Sequence, residues 1–150
     1  MRFIFLFSLT LMLNANEFSQ NSFGSVGQNN IPTSRFFEEG TISFSIKEDQ
    51  SFRRINMLAQ PYDWLEVSIF YADIPALRYK AAEEVGIIRP KQDKGFNIKL
   101  KLKDETKFAP SIALGFSDFA GSGIFSGEYL VFSKKVGNYD FHGGLGWGIF

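Results

Sequence analysis

From Phe96 to Lys103 apolar and polar residues take strict turns: Phe96, Ile98, Leu100 and Leu102 alternate with Asn97, Lys99, Lys101 and Lys103. A period of two puts the two sets on opposite faces of an extended strand, whereas a helical face repeats every ~3.6 residues. The pattern recurs in Thr41–Ile46, Leu65–Ala72, Ser111–Ser117 and Tyr139–Ile149, and less regularly in Phe52–Ala59 and Glu128–Lys135. About seven strands are therefore predicted. Only Pro75–Val85 has helical composition, and it is read as one short helix inside a loop. The expected fold is all-β, an antiparallel up-and-down meander.

Alternation does not say which face meets water, because a soluble barrel with an apolar interior and a membrane barrel with an apolar exterior share the period. Three features favour the membrane. The polar faces are mostly small or charged while the apolar faces are rich in Phe, Tyr and Trp. The apolar faces of the cleaner strands carry no charge, which at mid-membrane would cost roughly 2–4 kcal/mol. Connections also alternate: Gln60–Asp63, Asp104–Lys107 and Val136–Asn138 are tight, Asp73–Lys94 and Asp118–Gly127 long, with Lys47–Ser51 a short exception on the long side. Residues 41–150 are thus expected to form an incomplete transmembrane β-barrel. Seven strands do not close in the ordinary way, since single-chain bacterial barrels are even-numbered from about eight. A soluble periplasmic β-sandwich that binds carbohydrate produces the same period and stays open as the alternative.

Met1-Arg2 followed by the uncharged run Phe3–Leu13 is too short for the roughly 20 apolar residues of a spanning helix and fits a signal peptide, with cleavage expected after Ala15. Residues 16–40 are then a periplasmic N-terminal segment ahead of the barrel, and the location is the cell outer membrane.

Sixteen basic side chains balance sixteen acidic ones, which argues against nucleic acid as a partner. Cysteine is absent, so disulfides, thiol catalysis and cysteine-held metals are excluded, and His142 is the single histidine. Gly121–Gly127 lacks the spacing of a dinucleotide loop, and Glu38-Glu39 points to opposite faces. No catalytic residue, metal or cofactor is assigned. The candidate binding residues are Lys99, Lys101 and Lys103, one strand face that attracts an acidic polysaccharide, joined in the same interior by Glu66, Asp140 and His142. Phe119 and Phe125 are candidates for stacking on sugars.

Several motifs resemble a known family. Asn21–Gly27, Ile31–Arg35, Glu38–Gly40, Phe52–Arg54, Gln60–Glu66, Asp93–Gly95, Ala113–Asp118, Gly121–Val131 and Gly144–Gly148 are similar to the opening of the YjbH-type exopolysaccharide biosynthesis proteins. The resemblance covers nearly all of the chain beyond the signal segment. It implies an outer-membrane barrel without catalytic activity that assists polysaccharide production or export. Outer-membrane lipid, polysaccharide and other export components are then its partners. Family members are often lipoproteins and several times longer; this sequence has no cysteine and matches their N-terminal part.

Overall fold

The computed structural model describes residues 18–48, 53–78 and 90–148. The expected signal peptide at 1–15, Phe52, Ile149 and residues 79–85 of the Pro75–Val85 stretch lie outside the described residues; the described part of that stretch continues a strand rather than beginning a helix.

Among the described residues the fold is all-β. A two-stranded hairpin, β1 (Gly27–Gln28) and β2 (Ile31–Pro32), precedes a seven-stranded sheet. That sheet comprises β3 (Ile42–Glu48), β4 (Arg53–Tyr62), β5 (Leu65–Arg78), β6 (Pro90–Lys103), β7 (Ser111–Ser117), β8 (Gly127–Val136) and β9 (Tyr139–Gly148). Its order is β3-β4-β5-β6-β7-β8-β9, every neighbour antiparallel, so it is an up-and-down meander curled into half a barrel. β5 and β6 run further into the Asp73–Lys94 connection than the alternation suggests, pairing Asp73 with Gln92 and Ile74 with Lys91. The Asp104–Lys107 turn is longer than expected, running from 104 to 110. Two tight turns form as expected: Asp63-Trp64, and Gly137-Asn138, where Gly137 takes φ +60°.

The sheet is inside out. Its inner face carries Arg54, Asn56, Glu66, Ser68, Asn97 and Lys99, all buried. Its outer face carries Phe44, Ile46, Ile69, Phe96, Phe132 and Leu145, all exposed. One cross-strand row on that outer face is leucine throughout: Leu65, Leu100, Leu114, Leu130 and Leu145 stand opposite one another from β5 to β9. Tyr62 and Trp64 stack at the turn end (centroids 5.6 Å apart, 6° between planes), Tyr139 joins them there, and Trp147 lies at the other end of β9. A sandwich needs apolar faces packed on each other; here, among the described residues, they point away from the layer beneath the sheet.

That layer is the chain's own N-terminal part. Residues 18–40, set apart from the sheet by the sequence reading, lie against the concave face and bury its polar side chains. Asn21 organises the segment, its Oδ1 accepting from the backbone N–H of Phe23 and of Ser25 at 3.0 Å each. Gly24 takes φ +89° and presses on Asn56, where a Cβ would come within 2.8 Å of the amide oxygen. Among the described residues the buried apolar clusters are two small ones, Val26, Phe37 and Leu58 with Phe18, and Ala113, Tyr129 and Val131 with Phe36, and the Phe23 ring adds a contact with Phe125.

Candidate functional site

The concave face and the segment on it hold nearly all the buried polar chemistry of the described residues. Glu66 and Lys99 face each other across β5 and β6, with Nζ 2.8 Å from Oε2 and side-chain exposures of 3% and 1%. Lys99 sends its remaining protons to the carbonyls of Arg35 (2.8 Å) and Val26 (3.3 Å), and Phe36 lays its ring 4.5 Å from Nζ. Glu66 accepts from the Ser25 hydroxyl and from the Val26 N–H. Each ion has its hydrogen bonds, the condition under which a buried pair is tolerated. The Ser25 hydroxyl also lies 3.4 Å from the Tyr129 hydroxyl on β8, three strands away from Glu66, a meeting that the curl of the sheet permits.

Toward the tight turns, Arg35 clamps two elements. Its Nε and Nη2 donate to the two oxygens of Asp140 at 2.9 and 2.6 Å, and Nη2 lies 2.7 Å from Glu105. Hydrogen bonds from the Lys134 ammonium and the Lys135 backbone N–H, together with Arg35, pull the Glu105 carboxyl down to about 2. Both carboxylates hold the Arg35 guanidinium above its ordinary value, the Asp140 hydrogen bond contributing most. Ser133 Oγ lies 2.8 Å from His142 Nδ1, and His142 Nε2 lies 3.6 Å from Asp140. Serine, histidine and aspartate thus meet, which the sequence did not suggest. Ser133 is nevertheless fully buried and accepts the Ser34 N–H at 3.1 Å, and the Asp140 beside His142 is already bound by Arg35. The cluster ties the segment down, with Ser34 Oγ 2.6 Å from Ser111 Oγ.

At the opposite end Arg54, 1% exposed, lies 3.6 Å from the centre of the Phe70 ring, with Phe125 and Phe23 at 5.0 and 5.2 Å. Its Nε donates to Asn56 and its Nη2 to the Phe23 carbonyl, which also accepts from Asn97. Asp118, in the 118–126 loop, accepts the Phe125 N–H, and its burial pushes the carboxyl above its ordinary value.

The residues singled out from sequence therefore divide. Glu66 and Lys99 meet in one pair, Asp140 and His142 meet in another cluster, and all four lie on the inner face. Lys101 is half-buried between Asp63 (3.8 Å) and Asp104 (3.3 Å). Lys103 leaves the row: an irregularity after Lys101 sets it opposite Ile112, on the outward phase of β7. Phe125 belongs to the Arg54 cage, while Phe119 is exposed and packs edge-on against Phe116. Sequence reasoning passed over Arg35, Arg54, Asn56, Asn97, Ser133 and Glu105. The signal for Arg54 and Asn56 was their i, i+2 spacing opposite Ile55 and Met57; Arg35 offered none, because its partners lie 70 and 105 residues away.

An inside-out, curled antiparallel sheet whose polar concavity is filled by the preceding segment defines a class, the half-barrel with an internal N-terminal occupant. Within it the chain belongs to the YjbH family: the profile described as exopolysaccharide biosynthesis protein YbjH matches residues 19–150. It is also similar to the "Uncharacterized lipoprotein YjbH" of Escherichia coli (strain K12), 38% identical over 130 residues. That alignment covers 87% of this chain and 19% of the relative, so the chain spans about a fifth of the relative's length. No solved structure matches it.

Proposed function

We propose that this chain is part of the wall of an outer-membrane β-barrel that assists exopolysaccharide production or export without catalysing a reaction. One observation carries the reading: apolar side chains cover the middle of the outer face of the seven-stranded sheet, Arg54, Glu66 and Lys99 turn inward, and outward-phase charges Glu48, Arg53, Asp73, Lys94 and Glu128 lie toward its loop end. Soluble monomers rarely expose contiguous apolar patches beyond a few hundred Å². Fully exposing a single Leu or Phe forgoes about 1.5–3 kcal/mol, so such a face is stable only against lipid or another apolar surface. Strand lengths agree, because β4, β8 and β9 have 10 residues each and a tilted spanning strand needs about 9–11. Tyr62, Trp64, Tyr139 and Trp147 near the strand ends suit the two interfaces.

Under this reading the polar concave face lines the path of the polymer, with Lys99, Lys101, Glu66, Asp140 and His142 along it and Lys103 outside it. Export components are its partners. The test is assembly in cells: the full chain should fractionate with the outer membrane and migrate faster on gels unheated than boiled. Its deletion should reduce surface exopolysaccharide. Recovery as soluble periplasmic protein with heat-independent mobility rejects the reading.

A further inference from the structure

We propose that the concave face is a binding track for an N-acetylated polysaccharide, and that residues 18–40 are its resident, displaceable occupant. The inference rests on the export reading, and it names both the ligand chemistry of that surface and what closes it.

The chemistry lies in what the inner face holds. Asn56, Asn97, Arg54 and Lys99 donate to backbone carbonyls of the segment, those of Ser22, Phe23, Val26 and Arg35. Glu66 and Ser133 accept the N–H groups of Val26 and Ser34, and the hydroxyls of Ser25 and Ser34 complete the set. The face is thus fitted to secondary amides and hydroxyls at close intervals. An acetamido sugar presents the same three groups, an amide carbonyl, an amide N–H and hydroxyls. A polymer without acetamido groups leaves the amide-directed side chains unmatched. An acidic polymer is the poorer fit, because two of the cations on this face already have carboxylates, Glu66 against Lys99 and Asp63 and Asp104 against Lys101, and Arg54 is stacked against the Phe70 and Phe125 rings.

Displacement is feasible because the contact is mainly polar. Each hydrogen bond that breaks when the segment leaves is replaced by one to water or to sugar, so little free energy opposes the exchange at each site. A dry apolar seal would lack that property, and the two apolar clusters here are small. Gly40 joins the segment to β3 at φ +85° with nothing within 4 Å of a Cβ placed there, a backbone position with room to turn. Asp140 and Glu105, which Arg35 now clamps, become available to the ligand once the segment moves.

The native chain has no cysteine, so a thiol pair can be introduced cleanly. Ser34 Oγ and Ser111 Oγ are 2.6 Å apart, and Ser34→Cys/Ser111→Cys should form a disulfide that pins the segment. On purified full chain in detergent, chitotetraose should accelerate hydrogen exchange of the Asn21–Arg35 amides at least tenfold, and maltotetraose should not. Oxidising the double variant should weaken chitotetraose binding at least tenfold, and reduction should restore it. Equal binding by oxidised and reduced protein, or amides that stay protected with chitotetraose present, overturns the proposal. If the double variant does not fold, the exchange experiment on the native chain decides alone. Heat-modifiable mobility is read on the same samples. Its absence alongside intact sugar competition rejects the membrane reading and upholds the track.

Discussion

Lys99 shows how much a single buried charge can hold. Its ammonium touches Glu66 on the sheet and two carbonyls of the segment, so replacing it with Met leaves the Glu66 carboxylate buried without a counter-ion. Lys99→Met should destabilise the protein by about 3–5 kcal/mol, the usual consequence of breaking one side of such a pair. Lys99→Met/Glu66→Gln, which removes both charges, should recover most of that. Denaturant midpoints of the refolded protein measure the cycle, and a double variant no more stable than the single one sinks the assignment. Glu105 makes a pH prediction. Its carboxyl falls from an ordinary 4.5 to about 2, so the folded form favours the anion: its contribution is complete above about 4.5 and lost as pH drops toward 2. The stability difference between native protein and Glu105→Gln should be flat above pH 5 and vanish across that window; a difference that grows on acidification contradicts it. Of these two residues only Glu66's partner was legible beforehand, since Lys99 and Glu66 fall on inward phases of neighbouring strands. Glu105 was not, because its partners Arg35 and Lys134 become neighbours only when the sheet curls over the segment.

Strands were the most legible elements, because a period of two is a local property and a meander pairs consecutive strands. All seven sheet strands and their polar and apolar faces follow from it. Two things did not. The extension of β5 and β6 toward residues 78 and 90 rests on cross-strand pairing such as Asp73 with Gln92, which composition around Pro75 disguised. The irregularity after Lys101 inverts the phase of Lys103 without changing the alternation that can be read from the sequence. The leucine row gives the test at this scale. Leu100 sits in that row on β6, the middle strand of the seven-stranded sheet, on the outer face. On the membrane reading Leu100→Arg places a cation against lipid, a change that costs roughly 2–4 kcal/mol at mid-membrane and less toward an interface. It should abolish the fast-migrating unheated band, while Leu100→Phe should retain it. Equal assembly of both variants means that this face does not meet lipid.

At the scale of the whole molecule, burial runs opposite to that of a soluble protein, and the two tryptophans report on it independently of any cell. Trp64 lies in the turn between β4 and β5, and Trp147 near the far end of β9, so a spanning sheet carries them to opposite interfaces. Both are about half exposed, Trp64 at 48% and Trp147 at 53%. A Trp at a headgroup interface combines an apolar ring in the outer part of the hydrocarbon with an N–H near water. The sequence has just these two tryptophans, so Trp64→Phe and Trp147→Phe each leave one reporter. In vesicles of lipids brominated at defined acyl positions, each remaining Trp should be quenched most by bromine close to the headgroup and least by bromine at the bilayer centre. A water-soluble quencher should reach one Trp from outside the vesicle and the other only after permeabilisation, since the two lie on opposite sides. If bromolipids quench neither, the apolar face is covered by something other than lipid. If both respond to the external quencher alike, the strands lie on the bilayer rather than through it.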